Sequence, residues 1–382
     1  MPYAFRIAGW ATVLVILAAG VLTSYTAILI SRCLERALNV IPLKERRGEP
    51  SDWPLIGYAA LGTAGRRLVN GVFLGELFFI LMAFLVVNGS NVQLLLPSVS
   101  RSVLISTSGL ISFTLLFLPF RFFSYFSMIG HIAMGTTIAL MVVSGLLLPE
   151  LPQTWDYVGV RWEGLPQAVG IIIFCNVAHG TIPSIYMPCS CKKQFAWVAW
   201  ASWGVVSSVY VLTGATGYLF FGAASQQNIV INFGRDLAQA PIAGLELLPS
   251  FAAIGFVVKL QTSFPLYATP IVSAVEASLG LSRRRMHSPS RVLLKAVVML
   301  ATTGLAVLMQ DHMADCIALT GSLLSMCTSM IFPTTFYFML FRKEVSAATL
   351  LLLAGTCAIG CYFQITGTRD SLLRIFSNTG AH

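Results

Sequence analysis

The chain has 382 residues, 56% of them hydrophobic and 10% charged, with a mean hydropathy of +0.79. Soluble domains carry about 25% charged residues, so this composition excludes a water-soluble globular enzyme and points to a lipid bilayer as solvent. The formal charge of +9 lies in short loops between apolar runs, where it concerns orientation in a membrane and not a nucleic-acid partner.

Apolar runs of about 18 residues or more, bounded by charged or turn-rich breaks, predict ten spanning helices. They cover 9–31, 68–96, 103–120, 127–148, 166–186, 197–221, 249–279, 292–310, 315–340 and 346–366. The expected architecture is an all-α polytopic membrane protein, with residues 1–382 forming a single transmembrane domain. When the loops alternate in side, sixteen Lys and Arg fall on one face (Arg32 to Arg67, Arg121, Lys192, Lys193, Arg283 to Arg291, Arg342 and Lys343). Six fall on the other: Arg6, Arg101, Arg161, Arg235, Arg369 and Arg374. The richer face is the cytoplasmic one. Lys259 and Lys295 lie within spans.

Between the first two spans, the basic loop Cys33–Arg67 mixes turn residues with aromatic and aliphatic ones, which predicts partial order against the cytoplasmic face. On the other face Gly222–Ser250 is the longest connection, a candidate for a short interfacial helix or an outer lid. Asn88-Gly89-Ser90 matches a glycosylation sequon but lies too close to a span to be an acceptor. The eight cysteines show no paired framework, and Cys189-x-Cys191 has no partner set that would hold zinc.

One stretch departs from a plain membrane helix. Phe174 to Tyr186 reads FCNVAHGTIPSIY, so Asn176, His179, Gly180, Thr181, Pro183 and Ser184 arrive within nine residues inside an apolar span. Gly and Pro are the residues expected where a helix unwinds, and backbone freed in hydrocarbon has to line a cavity or be buried in protein. Half-helix ends exposed in this way bind ions and charged substrate groups. A Pro-kinked structural helix is the alternative.

Charged side chains at membrane depth cost at least ~2.5 kcal/mol at a helix centre, so each is a functional candidate. Glu76 lies two turns into its span and is a proton acceptor, or a partner for a cation such as Lys259. Lys259 shares a helix face with Ser263, one turn later. His179 titrates near neutral pH and adjoins the break. Asp311, His312 and Asp315, at the start of the ninth span, read as a solvated loop. Phosphate-binding glycine loops, nucleophile elbows and HExxH motifs are missing, so the reading is not that of an enzyme.

The motifs and their order resemble the amino acid/auxin permease family. PYAFRIAGW followed by SYTAILISRC is similar to its LPYAFKxxGW and xYTxxLLxxC, and Trp53-Pro54-Leu55-Ile56-Gly57 to its YPDIG loop. AHGTIPSIY resembles GHxxxPSIY of the family's broken sixth helix, GYLFFGAASQQNIVINF its GYLxFGxxxxxNIxxNL, and ALTGSLLSMCTSMIFPTTFY its GSLLxxxxxFIxPxxFY. The resemblance covers essentially the whole chain. It implies a LeuT-like inverted-repeat helix bundle and secondary active transport of amino acids by alternating access. The implied substrate site is Phe174, Cys175, Asn176, Ala178, His179, Gly180 and Thr181, and the ion-coupling residues are Glu76, Lys259, Thr262 and Ser263. Many members are expected to carry Lys at the Ser263 position; here it lies one turn earlier. No cofactor is expected. A proton is favoured as the coupling ion because Glu76, His179 and Lys259 titrate, with sodium the other choice. The expected membrane is the plasma membrane or a vacuolar or lysosomal one, and oligomeric state stays open. The resemblance also implies some twenty membrane residues ahead of PYAF, so the first family helix reads as truncated. The alternative function is therefore a non-transporting amino-acid sensor or an inactive truncated membrane protein.

Overall fold

The computed structural model describes residues 1–42, 46, 53–118, 122–153, 157–176, 178–279 and 288–379. Among them the regular structure is helical, and β-structure is limited to an isolated bridge between Arg235 and Pro241. A short α1 (Pro2–Ala8) precedes α2 (Ala11–Val40), α3 (Trp53–Leu95), α4 (Arg101–Leu115) and α5 (Phe122–Leu146). Then come α6 (Leu165–Cys175), α7 (Ile182–Tyr186), α8 (Phe195–Phe221), α9 (Leu248–Ser278) and α10 (Pro289–Leu308). The last are α11 (Met313–Thr320), α12 (Phe332–Phe341) and α13 (Ala347–Thr379).

Nine helical stretches of the described residues are long and apolar enough to cross a membrane. The predicted span 103–120 corresponds to α4, whose 15 residues reach about 22 Å at 1.5 Å per residue, short of a ~30 Å hydrocarbon layer. Residues 119 and 120 of that prediction lie outside the described residues. The burial pattern is that of a membrane bundle. Leu14, Leu300 and Leu351 are more than 70% exposed on its outside, while Glu76, Asn88, Asn176 and His179 are buried within it.

Two interruptions organise the bundle. Between α1 and α2 the chain turns at Gly9, whose φ of 76° belongs to the left-handed region. A side chain there would run into the backbone carbonyls of Val158 and Gly159, and those carbonyls accept from Trp10 N (3.0 Å) and Ala11 N (2.8 Å). The second interruption divides α6 from α7. Helix α1 lies against α6 and α8, with the Gly9 turn beside the start of α6: Arg161 N donates to Ala8 O at 3.0 Å.

Several expectations need correction. Most of the predicted loop Cys33–Arg67 is helix: α2 runs on to Val40 and α3 already begins at Trp53, bending at Gly62 (φ 64°, ψ −148°). In Gly222–Ser250 the outer connection forms two 3-10 turns, Gly222–Ala224 and Ile229–Asn232, and no interfacial α-helix. It is fastened down: Asn228 Nδ2 donates to Ser90 Oγ (3.1 Å) and Asn91 Oδ1 (3.2 Å), and Ser144 Oγ accepts from Gly234 N at 2.9 Å. Asp315 and His312 are buried, not solvated, because Gln167 of α6 reaches across and donates to Asp315 Oδ1 at 2.7 Å. Asp311 alone of the three is exposed, paired with Arg101 at 3.0 Å.

Lys295 is a structural cation: its Nζ donates to Leu116 O at 3.0 Å and sits 4.2 Å from the Phe117 ring centre. Nearby, Arg291 grips the buried Glu276 with two 2.7 Å bonds, joining α10 to α9. Removing one member of such a pair strands a buried charge. Arg291→Met is expected to destabilise the protein by about 3 kcal/mol, while Arg291→Met with Glu276→Gln recovers most of that. Thermal unfolding in detergent measures both; equal losses in the single and double variants would contradict the pairing.

Candidate functional site

The second interruption is built from local geometry. Helix α6 stops at Cys175, and Asn176 turns back on it: its backbone N bonds Ile172 O and Ile173 O, and its Nδ2 donates to Ile172 O at 2.9 Å. The carbonyl of Cys175, freed by the stop, accepts from Tyr210 OH of α8 at 2.7 Å. A 3-10 turn, His179–Thr181, leads into α7, and Thr181 Oγ1 closes it by donating to Ala178 O at 2.7 Å. The freed carbonyls of Cys175 and Ala178 are thus satisfied inside protein, as hydrocarbon surroundings require.

His179 is fully buried and lies under α2. Its Nε2 is 3.1 Å from Thr23 O, which can only accept, and 3.0 Å from Thr26 Oγ1, so Nε2 carries the proton. Nδ1 is then a buried acceptor with no hydrogen-bond partner among the described residues, and so is Asn176 Oδ1. Trp53 Nε1 donates to His179 O at 2.7 Å, and the Trp203 ring lies 5.4 Å from the imidazole. Gly180 faces the ring of Phe73 on α3.

Of the predicted substrate-site residues, His179, Gly180 and Asn176 are buried and converge on this turn. Phe174, Cys175 and Ala178 are half-buried beside it, whereas the Thr181 side chain is exposed.

The four predicted ion-coupling residues do not form one cluster. Glu76, 1% exposed, accepts from the Thr328 hydroxyl at 3.0 Å and lies beside the hydroxyl of Ser325. Both hydroxyls belong to a stretch between α11 and α12 that widens into π-helix at Gly321–Ser325 and again at Cys327–Ile331. Glu76 has no ion pair among the described residues, so the expected pairing with Lys259 is not made. The helix geometry explains why. Tyr267 of α9 packs edge-on against Phe84 of α3, ring centres 5.3 Å apart, and Lys259 lies eight residues, or about 12 Å, before that contact along α9. Lys259 and Thr262 instead lie against Gly130 of α5, and Thr262 Oγ1 donates to Val258 O at 2.8 Å. Ser263 is buried.

Sequence reasoning missed Thr23, Thr26, Trp203, Phe73 and Thr328. The hydroxyl run Thr23-Ser24-Tyr25-Thr26 inside an apolar span is a signal for the first two. The others follow only from which helices pack together.

Comparison with known proteins covers nearly the same length as the fold. The family described as transmembrane amino acid transporter protein matches residues 1–367. Among curated proteins, the chain is 26% identical to amino acid transporter AVT1B of Arabidopsis thaliana over 391 residues, covering 98% of this chain and 67% of that one. It is also 26% identical to amino acid transporter AVT1J of the same plant (98% and 87%) and to amino acid transporter AVT1E (98% and 70%).

Proposed function

Because the chain belongs to the transmembrane amino acid transporter protein family, we propose that it moves amino acids across a membrane by alternating access, with substrate held at the α6–α7 break. The chain is an integral multi-pass membrane protein. The observation that carries the proposal is the break itself. It is a helix interruption deep in the bundle, with two buried acceptors, Asn176 Oδ1 and His179 Nδ1, awaiting a donor such as an ammonium group. A scaffold of two inverted repeats, rocking against a bundle that contains the breaks, suits such a site.

A proton is the proposed coupling ion. Glu76 is buried among hydroxyls with no cationic partner among the described residues, and its helix also carries Phe73, which faces Gly180 one turn away. Ion and substrate positions therefore share one rigid element.

The test is uptake of each of the twenty radiolabelled L-amino acids by proteoliposomes under an imposed pH gradient or an imposed sodium gradient. At least one amino acid is expected to accumulate with the pH gradient, and His179→Ala is expected to cut that uptake about tenfold or more while insertion is unchanged. Accumulation driven only by sodium reverses the choice of ion. Binding with no net flux of any amino acid instead favours a sensor.

A further inference from the structure

A cavity of about 470 Å³ lies outside the break, at the end of the bundle that carries Arg6, Arg161 and Arg374. It is bounded by α1, the turn that opens α6 and the last turns of α13, and that volume suits a small ligand. Arg6 and Arg161 are fixed by their own bonds. Arg6 Nη1 donates to Ser225 O at 2.8 Å, and Arg161 Nη1 donates to Arg6 O at 2.5 Å. Each guanidinium has five N–H donors, so these bonds orient it and leave most of its donors for a carboxylate. Glu163 is the acidic side chain in the lining, and Arg374 is braced from behind by Asp370 at 3.1 Å.

The fourth wall is Gln167. It is 1% exposed and lines the cavity, and its Nε2 is committed to Asp315 Oδ1 at 2.7 Å. That carboxylate settles which end of the amide is which, so the atom left over is Oε1, a buried acceptor with no donor among the described residues. A simple anion would satisfy the arginines and leave Oε1 as it is. A molecule carrying a carboxylate and an ammonium group together satisfies both.

We propose that this cavity is a second binding site, for the zwitterion of an α-amino acid: its carboxylate lies among Arg6, Arg161 and Arg374, and its ammonium on Gln167 Oε1 and Glu163. The choice of an amino acid rests on the transport reading above; the cavity and its unpartnered acceptor do not. The site stands apart from His179 and shares no side chain with the break.

Tryptophans report on the two places separately. Trp162 lines the cavity and is 75% exposed, whereas Trp53 and Trp203 contact His179. The experiment is fluorine NMR of the full chain in nanodiscs, labelled with 5-fluorotryptophan, the seven resonances being assigned by Trp→Phe variants. Each of the twenty L-amino acids, and inorganic phosphate, is titrated in. The expected result is that at least one amino acid moves the Trp162 resonance. Gln167→Met or Arg374→Gln then raises the concentration needed about tenfold or more, without altering the response of Trp53 and Trp203. The unmoved resonances of the other tryptophans show that each variant is folded, and Arg374, half-exposed at the end of α13, is the safer substitution. A response at Trp53 and Trp203 with none at Trp162 overturns the second site and leaves the transport reading standing. Phosphate acting at Trp162 as well as any amino acid, with Gln167→Met without effect, overturns the zwitterion. Silence at all three tryptophans for all twenty amino acids removes the transport reading and this site with it.

Discussion

Leucine in place of Gly180 is expected to cut amino acid uptake in proteoliposomes by about tenfold to a hundredfold, and Phe73→Ala in the same protein to restore part of it. A β-carbon at Gly180 would meet the Phe73 ring well inside van der Waals range, its Cδ2 at 2.9 Å and Cζ at 3.1 Å and another ring carbon closer still. Gly180 sits in the turn between the unpartnered His179 Nδ1 and the start of α7, so the chain has no slack there to retreat. Overpacking a buried position costs about 1–3 kcal/mol, and each 1.4 kcal/mol is tenfold in an equilibrium. If that cost falls on the turn that holds substrate, uptake falls by about tenfold to a hundredfold. The rescue separates this cause from misfolding, because Phe73→Ala opens space only for a side chain at that spot. Unchanged uptake by the Gly180→Leu protein would falsify the assignment of this turn to the substrate path.

The second large effect is expected at Glu76. Glutamine there keeps the size of the side chain and an oxygen to accept from Thr328 Oγ1, but it can neither gain nor lose a proton. Uptake driven by a pH gradient should drop at least about tenfold in Glu76→Gln, whereas exchange of labelled for unlabelled amino acid at equal pH, which needs no net proton movement, should persist. The informative quantity is the ratio of uptake with the gradient to uptake without it. In the unmodified protein this ratio is expected to rise well above one; in the variant it should approach one. A variant whose ratio stays high moves the proton to another group, with Lys259 the next to examine.

Much of this architecture is legible in the sequence, and the reasons differ from place to place. Apolar length located the spans, because twenty residues without charge have one stable home. The break at 176–181 was legible because Asn176, His179, Gly180 and Pro183 violate that rule together. The bend at Gly9 was not: a span drawn from residue 9 passes over a glycine that looks ordinary, and its positive φ is imposed by the carbonyls of Val158 and Gly159, some 150 residues away. Trp53 read as part of a cytoplasmic loop motif, yet its indole reaches His179 O, a contact that depends on how α3 is laid across the end of α2. The supposed partnership of Glu76 with Lys259 fails for a similar reason. Both lie at membrane depth, but depth along the chain says nothing about level along a neighbouring helix. Asp315 looked solvated until Gln167 supplied a partner from α6.

The widened turns between α11 and α12 bear on how this protein tolerates changes of length. A π turn holds one residue more than the α turn it replaces, and the surplus is absorbed locally, so the flanks keep their bearing. Losing one residue within Gly321–Ser325 or Cys327–Ile331 would tighten a turn and leave α11 and α12 facing their neighbours as before. The same loss inside α12 would swing every side chain beyond it by about 100°. Insertions and deletions among descendants of this chain thus have a natural place to accumulate in the span, and it is the place that carries the hydroxyls around Glu76.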